Sequence, residues 1–168
     1  FLVKLFIKNS DDTNNPTVRN KFGSFGGCVG IFLNICLFTG KFFFVFITGS
    51  VPISADAFNN LSDAGSSIIS LVGFKMSGKP ADNEHPFGHG RFEYISGFLI
   101  SMIIVLMGYE IGKTSIEKIF HPENVTFSML SLIILIISVL VKLWMCFFNR
   151  QLGEMINSQT MKAAALDS

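Results

Sequence analysis

The 168-residue sequence is too apolar for an ordinary soluble domain of its size, with 49% hydrophobic residues and a mean hydropathy of +0.51. Thirteen basic residues nearly balance twelve acidic ones, which excludes the strongly positive surface typical of nucleic-acid binding. We therefore predict a membrane protein whose partners are lipid, ions and a second copy of itself, and no nucleic acid.

The chain begins with a polar lead-in and a first apolar stretch. Residues 1–21 combine a short amphipathic piece with a polar loop, in which Asp11, Asp12 and Pro16 interrupt any helix. A first membrane span is predicted over residues 26–47, with Lys41 as its single charge. The partial transmembrane domain is accordingly assigned to residues 22–168.

The second predicted span, residues 53–76, carries a heavy polar load on one face. At 100° per residue, most of its polar residues lie within about 80° of Asp56, and the opposite face is apolar. These polar residues are Asp56, Asn59, Asn60, Asp63, Ser66, Ser67 and Ser70. A carboxylate at mid-membrane costs about 2.5–3.5 kcal/mol, so a bound cation is a good reason to keep one there. Asn59 and Asp63, at i and i+4, point oxygen atoms toward one place and are the predicted metal ligands.

A purely structural interpretation of this face is interhelical hydrogen bonding, which we prefer for the serines and for Asn60. Asp63 is a poor choice for that purpose because serine or asparagine would serve at lower cost. For Asp56, the roles of ligand, entrance residue and helix-end anion stay open.

A polar loop, residues 77–91, separates the second and third spans. Asp82, His85 and His89 could bind a metal there, but Pro86 and the glycines exclude a regular helix, so any such site must be built by a loop. From spacing alone, an ordinary polar turn is the preferred interpretation.

Two further spans are predicted over residues 94–116 and 125–148, and a fifth helix begins near Glu154. Asn157, Thr160, Ala164 and Asp167 recur along one side of that helix, which would carry Asp167 deep into the membrane. Most basic residues outside the spans lie on the side of the chain start, so we expect a multi-pass protein of the cell membrane with a cytoplasmic N-terminus.

Residues 54–67, SADAFNNLSDAGSS, and residues 85–93, HPFGHGRFE, resemble the cation diffusion facilitators, and the likeness extends through residues 157–168. The resemblance implies an all-α polytopic bundle: a homodimer of six-helix protomers with a C-terminal cytoplasmic domain that exports divalent metal in exchange for protons. This sequence would supply four spans and the start of a fifth. The remaining helices and the C-terminal domain would lie beyond it.

By the same resemblance, the transport site would use Asn59, Asp63 and Asp167, with a fourth ligand four residues after Asp167. Its oxygen ligands are similar to those of the manganese-exporting bacterial branch, which implies a bacterial plasma membrane, and they suit manganese better than zinc. The resemblance also implies a secondary zinc site at Asp82, His85 and His89.

Alternatives to manganese export are export of zinc, iron or cobalt, or a membrane sensor or scaffold that binds metal without moving it. An enzyme is not expected, because the sequence contains neither a GxGD nor a GxSxG motif. No resident cofactor is expected beside the transported ion.

Overall fold

The computed structural model describes residues 15–48, 51–121 and 129–168, which form an all-α bundle of five helices. The helices are α1 (Pro16–Thr48), α2 (Val51–Ser77), α3 (Arg91–Phe120), α4 (Met129–Met155) and α5 (Gln159–Asp167). The start of α1, the loop between α2 and α3 and the turn between α4 and α5 share one end of the bundle, here called the loop end. The opposite end is called the far end.

The first helix begins at Pro16, earlier than the predicted residue 26, so residues 16–21 of the predicted lead-in are helical. Asn15 caps the helix, because its side-chain oxygen accepts a hydrogen bond of 3.0 Å from the backbone N–H of Thr17. Pro16 then occupies the first helical position, where a missing N–H costs nothing. Here the proline starts a helix. Residues 1–14 lie outside the described residues.

Among the described residues, α1, α3 and α4 are long and apolar enough to cross a membrane. The second helix is long enough at 27 residues but less apolar. Its packing accounts for that composition: Asn60, Asp63, Ser66 and Ser70 are buried. Phe58, Leu61 and Val72 on the opposite side are exposed. The predicted division of α2 into a polar and an apolar face is confirmed, and its polar face points into the protein.

The fifth helix begins at Gln159, so the predicted start near Glu154 is wrong. Helix α4 continues to Met155, and Asn157 adopts a left-handed backbone conformation with φ of 47°, which asparagine tolerates well. Ser158 then caps α5 by accepting a hydrogen bond from the backbone N–H of Met161. Asn157 therefore ends α4, and it does not belong to the face of α5 that carries Asp167.

Helices α1 and α2 pack along each other through small residues, and Gly27 lies directly against the backbone of Leu71. A Cβ atom at this position would lie 2.9 Å from the Cβ and 3.1 Å from the Cα of Leu71. Because the Leu71 backbone cannot move independently, Gly27→Ala should destabilise the bundle by about 1–3 kcal/mol. The matched control is Gly40→Ala on the same helix, where nothing lies within 4 Å of the added carbon.

Thermal denaturation in detergent checks this prediction. The melting temperature should fall for Gly27→Ala. It should hold or rise for Gly40→Ala, because replacing a glycine by alanine where the added carbon meets no neighbour stabilises a protein by about 0.4–1 kcal/mol. Equal melting temperatures for the two variants would contradict a tight α1–α2 contact.

Candidate metal centre

The centre of the bundle contains a buried ion pair between Asp63 of α2 and Lys142 of α4. The Lys142 Nζ atom donates to Asp63 Oδ2, and the two side chains are 19% and 4% exposed. Helix α4 packs mainly against α1 and α5, so the lysine reaches α2 with its long side chain. Sequence analysis assigned Asp63 to the site but gave no role to Lys142.

Asp167 approaches the same place from the last turn of α5. It interacts electrostatically with both Asp63 and Lys142, and its carboxyl group lies beside the Ser66 hydroxyl without a hydrogen bond of regular geometry. The fold therefore brings together two of the three residues predicted for the transport site, from helices that are far apart in sequence. Two carboxylates and one ammonium group form this cluster.

The third predicted ligand, Asn59, is placed differently. It is half-buried and lines a cavity between α2 and α3, together with Ser62, Glu110, Thr114 and others. Among the described residues, no hydrogen bond joins Asn59 to Asp63 or Asp167. The structure thus brings Asp167 near Asp63, and Asn59 lines the neighbouring cavity one helical turn away.

Several polar groups on the buried face of α2 have no hydrogen-bond partner among the described residues. They are the side-chain nitrogen and oxygen of Asn60 and the hydroxyl groups of Ser66 and Ser70. Buried polar atoms are normally paired, and a cluster of unpaired ones around a carboxylate is typical of a place that receives water or an ion. This face of α2 offers more oxygen atoms than its helix contacts use.

Toward the far end, Asp56 forms an ion pair with Lys41 of α1, with Nζ and Oδ2 2.6 Å apart. The Lys41 side chain is only 2% exposed, so it compensates a carboxylate inside the bundle. This interhelical ion pair is a further role for Asp56, beside the three that the sequence left open.

The loop at the other end brings Asp82, His85 and His89 together, with one potential ligand atom from each within 4.8 Å of the others. Asp82 accepts hydrogen bonds from the backbone N–H groups of His85, at 2.6 Å, and Glu84, at 3.1 Å. The bond from the His85 backbone is the main cause that holds the pKa of Asp82 below its ordinary value. The carboxylate therefore stays ionised in mild acid.

His89 is the buried member of this loop cluster. Its Nδ1 atom lies 3.1 Å from the carbonyl oxygen of Pro80, which can only accept, so the ring carries its proton on Nδ1. The lone pair of a neutral ring is then on Nε2, which lies 3.5 Å from Asp82 Oδ2. The arrangement supplies two imidazole groups and a carboxylate, a combination that zinc sites use.

We predict that the full-length protein binds one metal equivalent fewer when both His85→Ala and His89→Ala are present, because the loop loses both nitrogen ligands. Zinc titration calorimetry measures the stoichiometry, and metal flux into proteoliposomes should persist. His121→Ala, at the exposed far end of α3, is the matched control and should change neither quantity. Loss of all metal binding in the double variant would make the loop the primary site.

A second polar cluster at the loop end was not foreseen. Glu93 is buried, and its Oε1 atom accepts hydrogen bonds from Arg19, at 2.7 Å, and from Ser158, at 2.6 Å. The Thr160 hydroxyl donates to the Glu93 backbone carbonyl at 2.6 Å, and Arg19 also donates to the Ile156 carbonyl at 2.9 Å. These bonds join α1, α3 and the start of α5, so they hold the helix that carries Asp167.

Residues 28–168 match the family model described as the cation efflux transmembrane domain. An uncharacterized transporter of Methanocaldococcus jannaschii is 34% identical over 132 residues, which cover 79% of this chain and 47% of the relative.

Two bacterial relatives have more specific names. The manganese efflux system protein MneS of Bacillus subtilis is 30% identical over 148 residues, 88% of this chain and 51% of the relative. The magnetosome protein MamM of Magnetospirillum gryphiswaldense is 31% identical over 140 residues, 83% of this chain and 44% of the relative. The chain thus spans about half the length of the curated relatives it matches.

Proposed function

Since this chain belongs to the cation efflux family of membrane transporters, we propose that the full-length protein moves a divalent metal cation across the membrane in exchange for protons. The observation that carries the proposal is that Asp167 lies near enough to Asp63 and Lys142 to interact electrostatically with both, beside unpaired polar atoms of α2. Carboxylates inside a membrane-embedded bundle need a positive partner. A divalent cation that passes through the bundle would be such a partner.

We propose Asp63 and Asp167 as the core of the transport site. Asn59 remains a predicted ligand. It lies one helical turn from Asp63 and lines the neighbouring cavity. Metal must bind the deprotonated carboxylates, so metal and protons compete for the same oxygen atoms. This competition is a physical basis for exchange: a proton that arrives favours metal release, and a metal ion that arrives favours proton release.

Manganese is the preferred cargo on two grounds. The core ligands offer only oxygen, which suits manganese, whereas zinc favours imidazole and thiolate. In addition, manganese efflux is the activity in the name of MneS of Bacillus subtilis. The loop cluster, with its two imidazole groups, is proposed as a separate accessory zinc site. We further propose a homodimer in the bacterial plasma membrane, with the loop end facing the cytoplasm.

Flux measurements in proteoliposomes test the proposal. With the full-length protein, manganese uptake should follow an imposed pH gradient and stop when a protonophore removes the gradient. Uptake that does not depend on the gradient would exclude proton exchange. Manganese binding without uptake would identify a sensor or scaffold, and a zinc rate above the manganese rate would reverse the assignment of the cargo.

A further inference from the structure

The ammonium group of Lys142 occupies the position beside Asp63 that the proposed cargo would need. It donates to Oδ2 of Asp63, so a metal ion bound to the same carboxylate would lie next to a positive charge and be repelled by it. An ammonium group has three donors and no lone pair, so Lys142 itself cannot serve as a metal ligand. The lysine and the metal ion therefore compete for this carboxylate through the repulsion between their positive charges.

The cluster needs this positive charge when no metal is bound. Asp63 and Asp167 interact with each other, and two like charges inside a bundle repel strongly. The other nearby cation, Lys41, is engaged by Asp56 two helical turns away. Among the described residues, Lys142 is the side-chain cation in direct contact with the cluster.

We infer that Lys142 is a tethered counter-ion, which neutralises the metal-free transport site and must leave Asp63 when a divalent cation binds. This inference rests on the proposed function. If the lysine stayed in place, a dication would meet a positive charge within a few ångströms; if it swings away, both carboxylates become available. The long flexible stem of lysine permits that movement, and the 19% exposure of the side chain leaves it an open side.

The counter-ion has a consequence for transport. When a metal ion leaves, the ammonium group returns to Asp63 and the exchanged protons can bind the remaining carboxylate oxygens, so release does not leave two bare carboxylates inside the membrane. The same competition weakens metal binding. Lys142 is thus a positioning residue for exchange: it lowers affinity and eases release without touching the metal.

Calorimetry on the purified full-length protein tests this inference, with His85→Ala and His89→Ala as the background so that only the membrane site contributes. Lys142→Met removes the charge at similar volume, and manganese should then bind more tightly, with a Kd lower by at least about tenfold, because one repulsion is lost. Lys142→Arg should act in the opposite direction and raise the Kd, because a guanidinium group binds a carboxylate with two parallel hydrogen bonds.

A merely structural ion pair predicts a different pattern, in which Lys142→Met binds manganese no better than the parent and Lys142→Arg behaves like the parent. Either result would overturn the inference. If Lys142→Met does not fold, the Arg variant decides alone: a Kd equal to or below that of the parent rejects the counter-ion role. Asp63→Ala in the same background separates the two proposals, because manganese binding that survives it refutes the proposed site itself.

Discussion

Replacing Asp63 with alanine should abolish metal transport by the full-length protein. The change removes a charged ligand from the proposed core, and the loss of one partner of a buried charge pair costs about 2–5 kcal/mol of binding, so flux should fall by about 100-fold or more. Asp63→Asn keeps an oxygen atom but loses the charge, and the flux of this variant should fall nearly as far. Manganese flux into proteoliposomes measures both.

The melting temperature of the Asp63→Ala variant shows whether flux is lost with the ligand or because the protein has unfolded. Without the carboxylate, Lys142 loses its partner inside the bundle, so the melting temperature in detergent should fall moderately while the protein still inserts. Glu117→Ala, which removes an exposed acid from α3, is the control and should leave flux and melting unchanged. A variant lacking Asp63 that transports manganese at the parent rate would refute the central assignment.

The second large effect is expected at Glu93, where alanine should destabilise the bundle by about 3–5 kcal/mol. The substitution leaves Arg19 and Ser158 without their shared acceptor at a position where Glu93 is only 3% exposed. Glu93→Gln retains an uncharged acceptor and should lie between the parent and the alanine variant. The melting temperature in detergent is the readout.

Glu117→Ala is again the matched control, on the same helix. Its ion pair with Lys113 spans 3.8 Å between side chains that are both 63% exposed, and pairs of this kind contribute about 0–1 kcal/mol. If Glu93→Ala lowered the melting temperature no more than Glu117→Ala, the loop-end cluster would not hold the helices together.

The polar face of α2 could be predicted because helical periodicity alone decides which residues share a side. Asp63 therefore emerged from the sequence. For Asp82, His85 and His89, spacing alone favoured an ordinary polar turn, and only the family resemblance implied a metal site there. Asp167 was assigned to the site by the family resemblance, and α5 brings it near Asp63.

Two important contact residues were missed in the sequence for one physical reason. Sequence analysis gave no structural role to Lys142 or to Glu93. Their roles depend on which helices become neighbours, and the contacts of α2 with α4 and of α1 with α3 form only in the tertiary structure. The α4–α5 turn did carry a local signal, since asparagine followed by serine is typical of a left-handed residue and a helix cap.

The inward polarity of α2 has a consequence for biogenesis. A helix that carries two aspartates and several amides and hydroxyls enters a bilayer poorly when it emerges alone from the insertion machinery. Helix α1 precedes it, is apolar enough to cross, and meets it closely at Gly27 and Leu71. The two helices must therefore pass into lipid as one hairpin. A substitution in α1 that weakens this contact would leave α2 at the membrane surface during synthesis.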